Sequence, residues 1–181
     1  LRENRPVHEL LTADYTFVND RLAKHYGIPG VQGSHFRRVS LGEELDARRG
    51  LLGKGSILTT SSQPGRTSPP IRGNWIMTHL LGVPPPPPPP SVPELEASED
   101  ELTGENATPT LRQMLERHVD NPACSSCHVL MDPFGFAMEP FDAIGRYRTL
   151  DNGQPINAAG TMYDGTPVAG PTDLREFMVK Q

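Results

Sequence analysis

Cys124-Ser125-Ser126-Cys127-His128 is the stretch that decides how this chain is read. It contains both cysteines of the 181-residue sequence, with a histidine directly behind the second. C-x-x-C-H is the attachment signature of c-type haem. On a helix, two thiols one turn apart can each form a thioether to a haem vinyl group. The next residue then presents its imidazole to the iron, so His128 is the expected proximal ligand. The same spacing also matches a zinc half-site or a dithiol–disulfide pair. A zinc site would need two further ligands, and no second C-x-x-C exists. His118 and His128 are the remaining donors, at a spacing unusual for a finger. A redox dithiol would sit in a βαβ setting, which the surrounding pattern does not suggest.

Composition agrees with a molecule whose core is completed by something other than side chains. Only 35% of residues are hydrophobic and 6% aromatic, while prolines number 20 and glycines 17. Many loops follow from that. A covalently held apolar macrocycle would offset the shortage of apolar side chains. The formal charge of −5 argues against nucleic acid and anionic membrane surfaces as partners. Six carboxylates, Glu94, Glu96, Glu99, Asp100, Glu101 and Glu105, lie in one stretch without Lys or Arg, and the rest of the chain is nearly neutral. No stretch is long and apolar enough to span a bilayer. Both ends read as interior sequence, so the expectation is a piece of a longer protein.

Working outward from the motif, the pattern predicts a mainly α-helical, loop-rich fold: several short helices around a covalently attached haem, with a short β-hairpin near the C-terminus. Four segments follow: an N-terminal helical segment 1–83, a polyproline and acidic linker 84–107, a haem-binding segment 108–150, and a C-terminal segment 151–181 packing on it. In the first, residues 6–26 read as helical. Thr12 or Asp14 caps a run with Val18, Leu22 and Tyr26, and Gly27 and Pro29 stop it. An extended piece is expected at Phe36–Val39. A second helix has Ser68 as its cap, Pro69 and Pro70 in its first turn, and Gly82 at its end. Its apolar face is expected at Ile71, Trp75 and Ile76 with His79 and Leu80. The seven prolines Pro84 to Pro90 predict a polyproline II rod roughly 22 Å long.

Beyond the linker, Thr108 is expected to cap a helix that brings Met114 and His118 near the haem. A helix restarting at Asn121-Pro122 carries the motif, and a break is expected at Pro133–Gly135. Phe134, Phe136 and Phe141 offer an aromatic wall, and Arg146 is a candidate partner for haem propionates. Turns at Asp151-Asn152-Gly153 and Asp164-Gly165 flank a strand pair around Ile156 and Thr161–Tyr163, and a last helix starts near Pro171.

Three phrases together carry a resemblance. They are Leu10-Leu11-Thr12-Ala13-Asp14-Tyr15 with Ala23-Lys24-His25-Tyr26-Gly27-Ile28-Pro29, then Arg66-Thr67-Ser68-Pro69 with Arg72-Gly73-Asn74-Trp75, and then the C-x-x-C-H motif with Met131-Asp132-Pro133-Phe134-Gly135-Phe136 and Phe141-Asp142-Ala143-Ile144-Gly145-Arg146. In that order they resemble the planctomycete-type cytochrome c family, large secreted bacterial proteins with successive domains of unknown function. The resemblance implies haem c on Cys124, Cys127 and His128 and a periplasmic or cell-surface location, and it brings no substrate. The further haem motif usual upstream in such proteins is not in this sequence.

The sixth iron ligand is open between His25 and Met138. Met131 lies only three residues after His128, on the same side of the haem; Met162 and Met178 are looser options. Methionine would raise the reduction potential and a second histidine would lower it. The functional expectation is an electron-transfer module serving a redox partner protein or other haem domains of the same parent chain. The alternatives are a haem enzyme of peroxidase or oxidase type, with His118 or His25 as distal acid–base group, and a non-haem interaction domain whose cysteines form a disulfide or bind zinc.

Overall fold

The computed structural model describes residues 4–87, 109–120 and 122–181. The polyproline rod beyond Pro87, the acidic stretch, the expected Thr108 cap and Asn121 lie outside the described residues. What is described is mainly helical and loop-rich, with small antiparallel strand pairs.

The N-terminal part departs from the expected helix. After a single turn, α1 (Glu9–Thr12), the chain becomes a strand, β1 (Tyr15–Val18), which pairs antiparallel with β2 (Arg37–Ser40). Tyr15-Thr16-Phe17-Val18 is a β-branched and aromatic run. Thr16 and Val18 are buried while Phe17 points outward, the period of a strand rather than of a helix. The helix α2 (Asp20–Tyr26) starts only at Asn19, whose side chain accepts from the Leu22 amide at 3.0 Å. Gly27 ends it with a left-handed φ of 74°. Val18, Ala23, Tyr26, Ile28 and Leu41 form a small core of their own here.

A 3₁₀ stretch (Glu43–Arg48) and α3 (Gly55–Thr60) lead to α4 (Pro69–Ile76), which runs on as a π-helical turn, Met77–Leu81. Ser68 caps α4 as expected, accepting from the Ile71 amide, and Gly82 closes the π turn at φ 69°. The buried face differs from expectation: Pro69, Arg72, Gly73, Ile76 and Met77 point inward, whereas Ile71 and His79 are exposed. The reason is the crossing with α6 (Pro122–Phe136). A Cβ on Gly73 would overlap the Met131 carbonyl, and one on Gly135 would overlap Pro69, so the two backbones touch where only glycine fits. The expected break at Pro133–Gly135 does not occur, and α6 continues through Pro133 to Phe136.

Arg72 locks this crossing. It is 1% exposed, and its Nη1 donates to the carbonyls of Met138 and Phe141, both at 2.8 Å. Its Nη2 donates to Ser62 Oγ at 3.0 Å and to the Asp142 carbonyl at 2.8 Å. Buried Glu139 lies 3.6 Å from Arg72 and accepts from Thr67 Oγ1 at 2.9 Å and Arg148 Nη2 at 2.8 Å. Burial lowers the Arg72 pKa to about 10, and burial pushes Glu139 up against the pull of both arginines.

One core is shared by segments on both sides of the linker: Leu52, Leu58, Ile76 and Met77 pack with Phe134, Met138 and Phe141 and with Leu174 and Phe177 of α7 (Pro171–Val179). α5 (Leu111–His118) is capped by Thr110 in a reciprocal box with Gln113. It lays Leu111 and Leu115 on Phe136, with Met114 beside them. The tail holds two tiny hairpins rather than one strand pair between two turns. β3 (Leu150–Asp151) pairs with β4 (Gln154–Pro155), and β5 (Gly160–Thr161) with β6 (Pro167–Val168). Each expected turn is the tip of its own hairpin. Asn152 and Gly153 both have positive φ, 47° and 77°, the conformation that a two-residue hairpin turn demands.

Candidate functional site

Helix α6 places the motif near its N-terminal end. Cys124 and Cys127 sit one turn apart, both half-buried and both free thiols. His128 follows, and one turn further on is Asp132, on the same helical face. The His128 ring nitrogen Nδ1 lies 3.0 and 2.9 Å from the two carboxylate oxygens of Asp132. An ionised carboxylate only accepts, so Nδ1 carries the proton and donates it. In the neutral ring Nε2 then keeps its lone pair, the form in which imidazole binds a metal. Both side chains are largely withdrawn from water, 14% and 8% exposed, so the bond is little diluted by solvent.

His118, at the end of α5, brings its ring edge-on to His128 with centroids 5.4 Å apart. Burial, then the neighbouring His128, lowers the His118 pKa. The packing of Leu111 and Leu115 on Phe136 is what delivers it there. Val129 and Leu130, directly behind the motif, are 65% and 37% exposed. Paired thiols, an imidazole with a committed Nδ1 and free Nε2, and adjoining apolar side chains in contact with water form a donor set that fits covalent haem. Among the described residues no three His, Cys, Asp or Glu side chains converge as a metal's ligand set.

The other predicted residues lie elsewhere. Phe134 is fully buried in the main core, edge-on to Phe177 at 6.2 Å. Met138 is 2% exposed in that same core. His25 and Arg146 come together, but in a separate groove of about 1060 Å³. There Nε2 of His25 lies 2.7 Å from the Ile144 carbonyl, which only accepts, so this histidine has its proton on Nε2. No hydrogen bond or ring contact joins His25 or Met138 to His128 among the described residues. Asp132 was not singled out from the sequence. The signal was there: a carboxylate four residues after the motif histidine faces it whenever the helix continues.

Comparison with known proteins gives a family. The family model PSCyt3, described as a protein of unknown function (DUF1588), matches residues 48–151. The chain belongs to the PSCyt3 family. The PSCyt3 span contains the motif, Asp132 and the Arg72–Glu139 lock. A second family model, PSD4, also described as a protein of unknown function (DUF1592), matches residues 1–28, which hold α1, β1, α2 and His25. The two are planctomycete cytochrome-type domain families. No curated protein and no solved structure matches the chain. Among the described residues no helix is long and apolar enough to cross a membrane.

Proposed function

We propose that this chain is a c-type haem module that passes single electrons within a larger extracytoplasmic bacterial protein. The observation that carries the reading is the His128–Asp132 pair beside two free thiols one turn apart. In this role Cys124 and Cys127 anchor the macrocycle through thioethers, and His128 offers Nε2 to the iron. Asp132 holds the imidazole in the required tautomer and orientation. The haem, when bound, supplies a one-electron couple whose potential the surrounding residues tune. Its electron partner would be a redox protein or another haem domain of the parent chain.

A second reading, a peroxidase- or oxidase-type haem enzyme, is favoured by the same pair. A carboxylate on Nδ1 would strengthen the His128 imidazole as a donor to iron, and a bound haem would then supply the chemistry of peroxide or dioxygen activation. The chain should therefore be produced in a bacterium with c-type maturation machinery, and its denatured mass and reduced-minus-oxidised spectrum recorded. A haem-sized mass gain with a reversible c-type spectrum is expected. A haem-free mass would end both haem readings and return the cysteines to a disulfide or metal role. Six-coordinate iron inert to cyanide and peroxide would end the enzyme reading alone.

A further inference from the structure

The groove that gathers His25 and Arg146 is lined by none of the motif residues, and it has a chemistry of its own. Its walls come from α2, in the stretch matched by PSD4, and from Arg48 and the Ile144–Tyr147 turn, in the stretch matched by PSCyt3. At about 1060 Å³ it has ample room for a small organic molecule. On a chain of net charge −5 it collects four cations, Arg21, Lys24, Arg48 and Arg146, against the carboxylate of Asp20 in its lining and that of Asp142, which accepts from the backbone amides of Ile144 and Arg146. Asp20 is taken up by Lys24 at 3.2 Å. Arg21 and Arg146 make no side-chain ion pair or hydrogen bond among the described residues.

Arg48 is the groove's buried cation. It is 2% exposed and lies over the Tyr26 ring at 4.3 Å and the Phe141 ring at 5.0 Å. Its Nε and Nη1 donate to the carbonyls of Tyr26 and Gly53, while its Nη2 has no partner. Asp142 faces it through space and offsets part of its charge. Apolar surface lies beside these cations. Phe36, Ile144 and Tyr147 are 63%, 45% and 54% exposed, so three large apolar side chains meet water within one concavity. Cations without partners select a negative head group, and exposed rings and an aliphatic side chain select an apolar body.

The geometry points to a binding site for a small organic anion, its charged head at Arg21 and Arg146 and its apolar body against Phe36, Ile144 and Tyr147. The site stands apart from the C-x-x-C-H motif and does not depend on haem being attached. His25 contributes shape, its Nε2–H being committed to the Ile144 carbonyl.

Calorimetric titration of the whole chain with three probes tests this: naphthoate carries head and body, naphthylmethanol the body alone, acetate the head alone. Naphthoate should bind at one saturable site, about tenfold or more tighter than naphthylmethanol, as one charge-assisted hydrogen bond supplies. Raised salt should weaken naphthoate and leave the alcohol unchanged. The double variant Arg21→Gln/Arg146→Gln should bring naphthoate down to the alcohol's affinity. Naphthoate binding no tighter than the alcohol, acetate binding as tightly as naphthoate, unaltered binding by the variant, or no saturable binding would each overturn the proposal. Should the variant melt early, the salt and alcohol comparisons on the unaltered chain decide alone.

Discussion

Replacing Asp132 by asparagine keeps the shape of the side chain and an oxygen to accept from Nδ1 of His128, and removes only the charge. The structure makes this a clean perturbation, since both carboxylate oxygens lie within 3.0 Å of Nδ1 and the pair is largely shielded from water. A hydrogen bond to a charged group is worth about 1.5–3 kcal/mol, against about 0.5–1.5 for a neutral one. Asp132→Asn therefore removes about 1–1.5 kcal/mol. The share of that energy which differs between the two oxidation states favours the oxidised iron, because a more basic imidazole and a nearby negative charge both stabilise the higher positive charge, and the whole of it is the ceiling. About 1.4 kcal/mol is a factor of ten, or about 59 mV for a one-electron couple. The haem-loaded Asp132→Asn chain should thus have a midpoint potential higher by tens of millivolts, up to about that amount, in a spectroelectrochemical titration. Asp132→Ala should go further: with no acceptor left the tautomer is unfixed, and loss of such a partner costs about 10–100-fold in metal affinity. Potentials for Asn and Ala indistinguishable from the parent chain would refute the assignment of Asp132, even with haem fully attached.

Two further expectations concern the scaffold. Arg72→Ala should cost about 3 kcal/mol in urea unfolding, because it takes from buried Glu139 one of its two arginines, leaves the Phe141 carbonyl without a donor, and strips the carbonyls of Met138 and Asp142 of one donor each; Arg72→Ala/Glu139→Gln should recover part of that, and additive losses would mean the pair is not coupled. Burial, then the neighbouring Arg48, holds Lys54 down at about 8 from 10.5, while its Nζ donates to the Arg48 carbonyl at 3.2 Å. Between those two values the unfolded chain binds more protons than the folded one, so stability should rise with pH across that window. With the side chain partly in water the gain is discounted to about 1 kcal/mol, and Lys54→Met should flatten the slope; a parent chain with no slope there would refute the assignment.

What could be read from the sequence was whatever a single turn of chain decides. Ser68 with Pro69 and Pro70, the glycines at 27 and 82, the cysteine spacing and the start of α7 all depend on neighbours within four residues, and all are found as expected. The approach of His118 to the motif was also legible, because the apolar face of α5 and the restart of α6 fix it. The misses have one physical source. Residues 15–18 follow a helical pattern as well as a strand pattern, and the choice belongs to a partner strand more than fifteen residues away. Arg72 lies off the apolar face expected for α4, and the carbonyls and carboxylate that bury it come from beyond the linker. Pro133 signals a break only in an isolated helix; here α6 runs on through it, with Gly73 and Gly135 in backbone contact with their neighbours on either side. That continuity has a functional consequence. Had α6 broken where the proline suggested, the last turn holding Asp132 under His128 would have frayed. The backbone contact of Gly73 with Met131, the residue before Asp132, therefore helps to hold the stretch of helix from which Asp132 faces His128.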